Sequence, residues 1–382
     1  MKLNDHSLDQ TPFTPPSLSE ETMKHTAQLH NLGQSLWLDN ITRDLLSSGT
    51  LQRYCTELSV TGLTSNPSIF NQAISKTTAY DSAIQRKVNE GKAGEALFFE
   101  LALEDLTQAA ALFRPAHHAS GGVDGWVSLE VSPLLADDAI ATVAEAKRLH
   151  AAAQCPNLFI KIPGTAAGVD AIEEAIFAGV PVNVTLLFSC EQYIAAVDAY
   201  FRGISRRIEN GLDPKVASVA SIFISRWDKA VSDQVPPKLH NRLGIAIAQR
   251  IYKTYQARQA SSAWLKLAEA GALPQRLLWA STGTKDPALA ESYYVEALAA
   301  PNTINTIPEK TLLAFAARGV LNGIMPVDGG DAESVLAEFA QAGVDIGAVA
   351  TQLLQEGTQS FSKSWDELLA AIALKSGNQA KS

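Results

Sequence analysis

The stretch Leu158-Phe159-Ile160-Lys161-Ile162-Pro163 sets a single lysine in the middle of an apolar, strand-like run. An ammonium group is costly to keep in such surroundings. Burial favours the neutral amine, the form that attacks a carbonyl carbon. The plainer reading is an edge-strand lysine whose stem lies along the sheet while its charge reaches water. Which reading holds depends on what the rest of the chain places around Lys161.

Runs of the same kind recur along the sequence: 34–40, 58–66, 125–132, 158–165, 180–188, 217–226, 276–283 and 303–308. Between them lie longer segments with apolar residues at helical spacing, such as 136–153, 189–209 and 241–270. Connections that long imply parallel pairing, because antiparallel neighbours can be joined by a tight turn. Eight strands alternating with helices match a closed parallel barrel, so the sequence predicts an α/β fold of the (β/α)8 class.

Two stretches exceed a minimal barrel. Residues 68–123, after the second strand, carry helical patterning around 80–112 and read as inserted helices rather than a separate domain. Beyond Lys310 lies a C-terminal helical extension, in which Ser364-Trp365-Asp366-Glu367 has the form of a capping box opening a helix over 364–374. A helix there is expected to lie over the barrel mouth. Residues 1–30, polar and rich in Ser, Thr and Pro, read as a flexible leader. Residues 31–376 read as one barrel domain and 377–382 as a disordered tail.

Bulk properties exclude several function classes. Of 382 residues 46% are hydrophobic and 19% charged, an ordinary globular balance, and the net charge of −9 with scattered basic residues gives no footprint for nucleic acid or an anionic membrane. An anionic substrate therefore needs a local basic pocket. No run approaches the length of a membrane span. Cys55, Cys155 and Cys190 are too few and too irregularly spaced for a disulfide framework or a zinc site, which fits a reducing cytoplasm.

The strand runs share a further feature: their C-terminal sides carry Asp39, Asn66, Glu130, Asn183 with Thr185, Ser221 with Arg226, and Ser281. In a parallel barrel these ends converge on the face where active sites are built. Residues two apart on a strand share a face, so Ser128, Glu130 and Ser132 can point together, as can Asn183 and Thr185. Taken singly, each carboxylate also fits a helix N-cap or a solvated strand end, Asp39 above all. Ile162-Pro163-Gly164-Thr165-Ala166-Ala167-Gly168 lacks the Gly-Lys-Ser/Thr ending of a P-loop and reads as the turn from the fourth strand into its helix. None of the seven histidines falls on a strand end, and His117-His118 reads as a solvent-facing loop. No metal constellation is visible in the sequence, and no cofactor is called for.

In order along the chain, Trp37-Leu38-Asp39, Thr61-Gly62-Leu63-Thr64-Ser65-Asn66-Pro67-Ser68, Ser128-Leu129-Glu130-Val131-Ser132, Ile160-Lys161-Ile162-Pro163-Gly164-Thr165 and Asn183-Val184-Thr185-Leu186-Leu187-Phe188-Ser189 resemble transaldolases. Ala280-Ser281-Thr282-Gly283-Thr284-Lys285 and Asn305-Thr306-Ile307-Pro308 resemble the longer bacterial form. The resemblance implies that Lys161 is the Schiff-base lysine. It implies that Glu130, through a water held with Thr185, shuttles protons as the imine forms, and that Asp39 is the acid/base at the bond being cleaved. It assigns Asn66 and Asn183, with Thr64 and Ser221, to the hydroxyls of a dihydroxyacetone unit, and Phe223 to the neighbourhood of the reacting water. Arg226 and Ser281 match phosphate-binding residues. The short form has an arginine two residues after that serine, where this chain has Gly283, and Lys285 is the substitute cation nearest in sequence.

The implied partners are small sugar phosphates, and the implied state is a monomer or a homodimer. Two other readings share part of the pattern. A class I aldolase uses the same lysine but releases dihydroxyacetone, and a non-catalytic barrel binds phosphosugars without chemistry. The second has no use for a buried nucleophilic amine.

Overall fold

In the computed structural model, which describes residues 20–377, the eight runs form eight strands: β1 (Ser35–Leu38), β2 (Val60–Thr64), β3 (Val127–Glu130), β4 (Leu158–Pro163), β5 (Val182–Leu187), β6 (Ser218–Phe223), β7 (Gln275–Ala280) and β8 (Ile304–Ile307). Each pairs in parallel with the next, and β8 pairs with β1, closing a barrel whose spatial order is the order of the sequence. Every strand residue of β4 to β7 is buried, as strands covered by helices on one side and packed against each other on the other must be.

Polar residues just past the strands start the helices that follow. Asn66, Thr165 and Ser189 accept backbone N–H bonds as N-caps of the helices Pro67–Lys76, Ala166–Phe177 and Cys190–Glu209, and Ser189 forms a full capping box with Gln192. The β4 turn has a further demand. Gly168 packs its first helical turn so closely on β4 that a Cβ there would lie 1.9 Å from the Pro163 carbonyl oxygen.

Four expectations change. Residues 20–31 are not a flexible leader but a helix, Glu20–Asn31, with Leu29 fully buried; residues 1–19 and the tail from 378 lie outside the described residues. The segment 241–270 holds two helices, Leu243–Gln259 and Ser262–Glu269, because Ser261 caps the second. His117 and His118 occupy the last turn of the helix Gly94–Ala119, with the His117 ring 4.9 Å from Trp126.

The capping box at Ser364 does not start a helix. Ser364 lies inside one continuous helix, Ile346–Gly377, because the buried stripe Val349, Leu353, Gly357, Phe361, Trp365, Leu368 and Ile372 runs unbroken through it at three- and four-residue spacing. Its polar groups face another element instead: Ser364 Oγ pairs with Ser68 Oγ at 2.7 Å, and Glu367 accepts from Asn71 at 3.0 Å. Trp365 packs edge-on against Phe98 at 5.0 Å. The inserted helices after β2 and the terminal helix thus hold each other, and together they set Phe361 over the barrel mouth.

Gly168→Ala should destabilise the protein by about 1–3 kcal/mol, the usual cost of forcing extra volume into a packed site. Thermal or urea denaturation reads this directly, and an unchanged midpoint would contradict the close-approach account.

Candidate active site

Register brings the chemistry together. Glu130 on β3 pairs with Lys161 on β4, and Lys161 pairs with Asn183 on β5, so three inward-facing polar side chains form one row across neighbouring strands. Lys161 is 5% exposed; its Nζ lies 3.2 Å from Glu130 Oε2 and donates to the Ser65 carbonyl at 3.0 Å. The Phe361 ring from the terminal helix stands 6.0 Å from the same nitrogen.

Around this amine lies a cavity of about 210 Å³. Asp39, Thr64, Asn66, Lys161, Thr185, Ser221, Phe223, Arg226, Ser281 and Lys285 all line it. Glu130 and Asn183 stand behind that lining. Glu130 is reached through Lys161. Asn183 donates to Ser128 Oγ at 3.1 Å and accepts from Ser221 Oγ at 2.6 Å. Asn66 spends its carbonyl oxygen on its helix cap, which leaves the amide NH2 for a ligand.

Burial controls the two carboxylates. It holds the Glu130 carboxyl above its ordinary range against the pull of Lys161, and it holds Asp39 above its range against Lys161, the Thr64 hydroxyl and Lys285. A carboxylate so displaced is a better proton acceptor than one in water. A proton leaving Lys161 therefore has a basic acceptor 3.2 Å away. Asp39 is oriented from below, accepting from Thr64 Oγ1 at 2.8 Å, while that hydroxyl also meets Thr306 Oγ1 at 2.5 Å. Thr185 Oγ1 is buried with no hydrogen-bond partner among the described residues. An unsatisfied hydroxyl lining the same cavity as the amine is open to a ligand or a water.

The far end of the cavity is basic. Arg226 stacks over Phe223 at 5.0 Å and reaches Phe361 at 6.0 Å, and burial lowers its pKa from the ordinary guanidinium value. Ser281 Oγ lies 2.9 Å from Ser225 Oγ, on a backbone held in the left-handed region at φ 54°. Leu186, next to Thr185, is also left-handed at φ 57°, where the β5–β6 register slips. For residues with a Cβ such conformations cost on the order of 1–2 kcal/mol, and they cluster at functional sites. Gly283 also lines the cavity, and a Cβ there would sit 3.3 Å from Pro308 Cγ.

Thr306, Ser68, Ser360 and Phe361 also line the cavity and were not singled out from sequence. Only Phe361 had a usable signal, its place in the buried stripe of the terminal helix. A larger cavity of about 450 Å³ opens at the opposite end of the strands, around Arg276. Arg276 there is spent on Ser35, Val123, Asn302 and Thr303, which reads as bracing of the barrel floor. Among the described residues, no helix is long and apolar enough to cross a membrane.

Because the folded-state pKa of Asp39 is raised, its ionised form costs stability above that pKa, and the cost vanishes below about 4, the unfolded value. Asp39→Asn, still able to accept from Thr64, should raise Tm at neutral pH, with the gain shrinking as the pH falls toward that value. Denaturation across pH checks this; a gain that does not fade on acidification would contradict it.

The family model described as Transaldolase/Fructose-6-phosphate aldolase matches residues 36–372. A protein named Transaldolase from Renibacterium salmoninarum is 43% identical over 355 residues, covering 90% of this chain and 95% of the relative. Its counterpart from Frankia alni is 44% identical over 362 residues, covering 92% and 97%, and that from Thiobacillus denitrificans 42% over 358 residues, covering 92% and 100%. With a matching model over nearly all of the barrel and relatives this similar from end to end, the chain belongs to the transaldolase/fructose-6-phosphate aldolase family.

Proposed function

We propose that this chain is a transaldolase, a transferase that moves a dihydroxyacetone unit from sedoheptulose 7-phosphate to glyceraldehyde 3-phosphate, giving erythrose 4-phosphate and fructose 6-phosphate. One observation carries the reading: a buried lysine amine 3.2 Å from a buried carboxylate, in a cavity that also presents Asp39 and a cationic far end.

The steps follow from those positions. Lys161 Nζ gives one proton to Glu130 and attacks the ketose carbonyl at C2 as the free amine; a second proton moves from the nitrogen to the new alkoxide, making the carbinolamine hydroxyl. Glu130 then gives its proton to that hydroxyl, which leaves as water with the unpartnered Thr185 Oγ1 helping to hold it, and a protonated imine remains. Asp39 takes the proton of the C4 hydroxyl. The C3–C4 bond breaks, its electron pair flows into the imine as an enamine on Lys161, and the shortened aldose phosphate leaves. The acceptor aldehyde then enters, the enamine carbon attacks it, Asp39 returns the proton, and hydrolysis frees the lysine.

Asn66 and Ser221 face the hydroxyls of the three-carbon unit, with Asn183 fixing Ser221 from behind, and Arg226, Ser281 and Lys285 hold the phosphate. Transfer rather than release requires an enamine that water does not reach. Phe223 and Phe361, both almost fully buried and both against Arg226, form an apolar wall that favours transfer over the aldolase reading. Three free cysteines suit a reducing cytoplasm.

Borohydride reduction in the presence of fructose 6-phosphate, followed by peptide mass mapping, should label Lys161 alone. Asp39→Ala should accumulate the trapped imine, whereas Glu130→Ala should slow its formation. Label on another lysine, or the same kinetic lesion in both variants, would overturn these roles.

A further inference from the structure

The catalytic cavity does not end at Lys285. A second cavity of about 430 Å³ shares Arg226, Ser281, Lys285 and Ser360 with it, and so is its outward continuation. This continuation adds one cation, Lys229. Lys229 follows Arg226 by three residues on the helix Ser225–Val231, which puts both side chains on one face. It also lines the adjoining 240 Å³ cavity together with Lys285.

The chain carries a net charge of −9, yet these three head groups make no direct ion pair. Among the described residues, none of Arg226, Lys229 and Lys285 has a carboxylate within 4 Å. Glu356 lines the same outer cavity and faces Arg226 at longer range, and Glu130 acts on Arg226 from the catalytic side. Asp228 and Asp286 in the smaller cavity are turned to other donors: Asp228 accepts from Leu243 N, Gly244 N and Tyr294 Oη, and Asp286 from Ala288 N and Asn241. Burial, then the neighbouring Arg226 and Lys229, hold the Lys285 amine below its ordinary range, against the pull of Asp39. Like charges gathered without a direct ion pair are what a multiply charged anion stabilises.

We propose that Lys229 is a third phosphate-binding cation, which with Arg226 and Lys285 cradles the terminal phosphate dianion of the substrate and sets the preference for phosphorylated over free sugars. For the substrate this rests on the transaldolase reading; for the anion it rests on the three head groups alone. Gly283 carries no charge, so the charge comes from Lys285 on one side and Lys229 on the other.

Lys229 is exposed, so Lys229→Met should leave the fold intact. It should weaken inorganic phosphate binding, measured by titration calorimetry, about fivefold, a modest value for a partly screened charged contact. The KM for fructose 6-phosphate should rise by a similar factor, with the loss falling on KM rather than kcat. Lys229→Arg should restore both, and Lys147→Met, a distant exposed lysine, should alter neither. Phosphate binding unchanged in Lys229→Met, or reduced equally by Lys147→Met, would overturn the proposal. Phosphate titration involves no turnover, so its outcome is independent of whether Lys161 forms an imine.

Discussion

The structure turns on a buried contact between an amine and a carboxylate, Lys161 Nζ and Glu130 Oε2, 3.2 Å apart with each residue 5% exposed. Taking both groups out of water costs several kcal/mol per ion, and their attraction recovers that only in good geometry with further hydrogen bonds. Here Lys161 gains the Ser65 carbonyl, while for Glu130 Oε2 the lysine is the one partner among the described residues. A buried pair with so little further support is poor evidence for a purely stabilising role. The arrangement holds because β3 and β4 are locked in register on both sides by neighbouring strands, so neither side chain can move out to solvent.

The rest of the molecule serves that row of residues. Closure of the sheet converges the strand ends, and the caps at Asn66, Thr165 and Ser189 turn the chain sharply into helices. Backbone strain at Leu186 and Ser281 flanks Thr185 and the cationic end. Overhead, Gly357 lets the terminal helix approach closely: a Cβ there would lie 2.9 Å from Leu186 Cδ2 and 3.3 Å from Arg226 Nη1. One glycine thus brings Phe361 down onto the lysine and the arginine at once. The cavity holds a buried amine under Phe361 at its inner end and is cationic at its outer end, a polarity that matches a ketose with a terminal phosphate.

Much of this was legible in the sequence, for identifiable reasons. The eight strands were readable because each is a short apolar run between helical segments. Lys161 stood out because no other lysine interrupts such a run. Period-two alternation placed Glu130 with Ser128, and Asn183 with Thr185, before any coordinates. What could not be read was partnership. The pairing of Ser364 with Ser68 needs two segments almost 300 positions apart, and without it Ser364 looked like a cap. Phe361 belonged visibly to an apolar stripe, but periodicity tells which face is buried, not against what. The hydrogen bonds of Asn183 to Ser128 and Ser221, a network spanning three strands, are likewise not readable from spacing along the chain. Lys229 was passed over because its meaning lies in the nearness of Lys285, 56 positions later.

The central claim, that the amine of Lys161 reacts within reach of Asp39 and points its adduct toward the cationic end, is tested most directly by a crystal structure of the borohydride-reduced complex with fructose 6-phosphate. Density should run unbroken from Lys161 Nζ, with the C4 hydroxyl at Asp39 and the phosphate among Arg226, Ser281 and Lys285. A sugar bound without a bond to Lys161, or with its phosphate turned away from Arg226, would contradict the account.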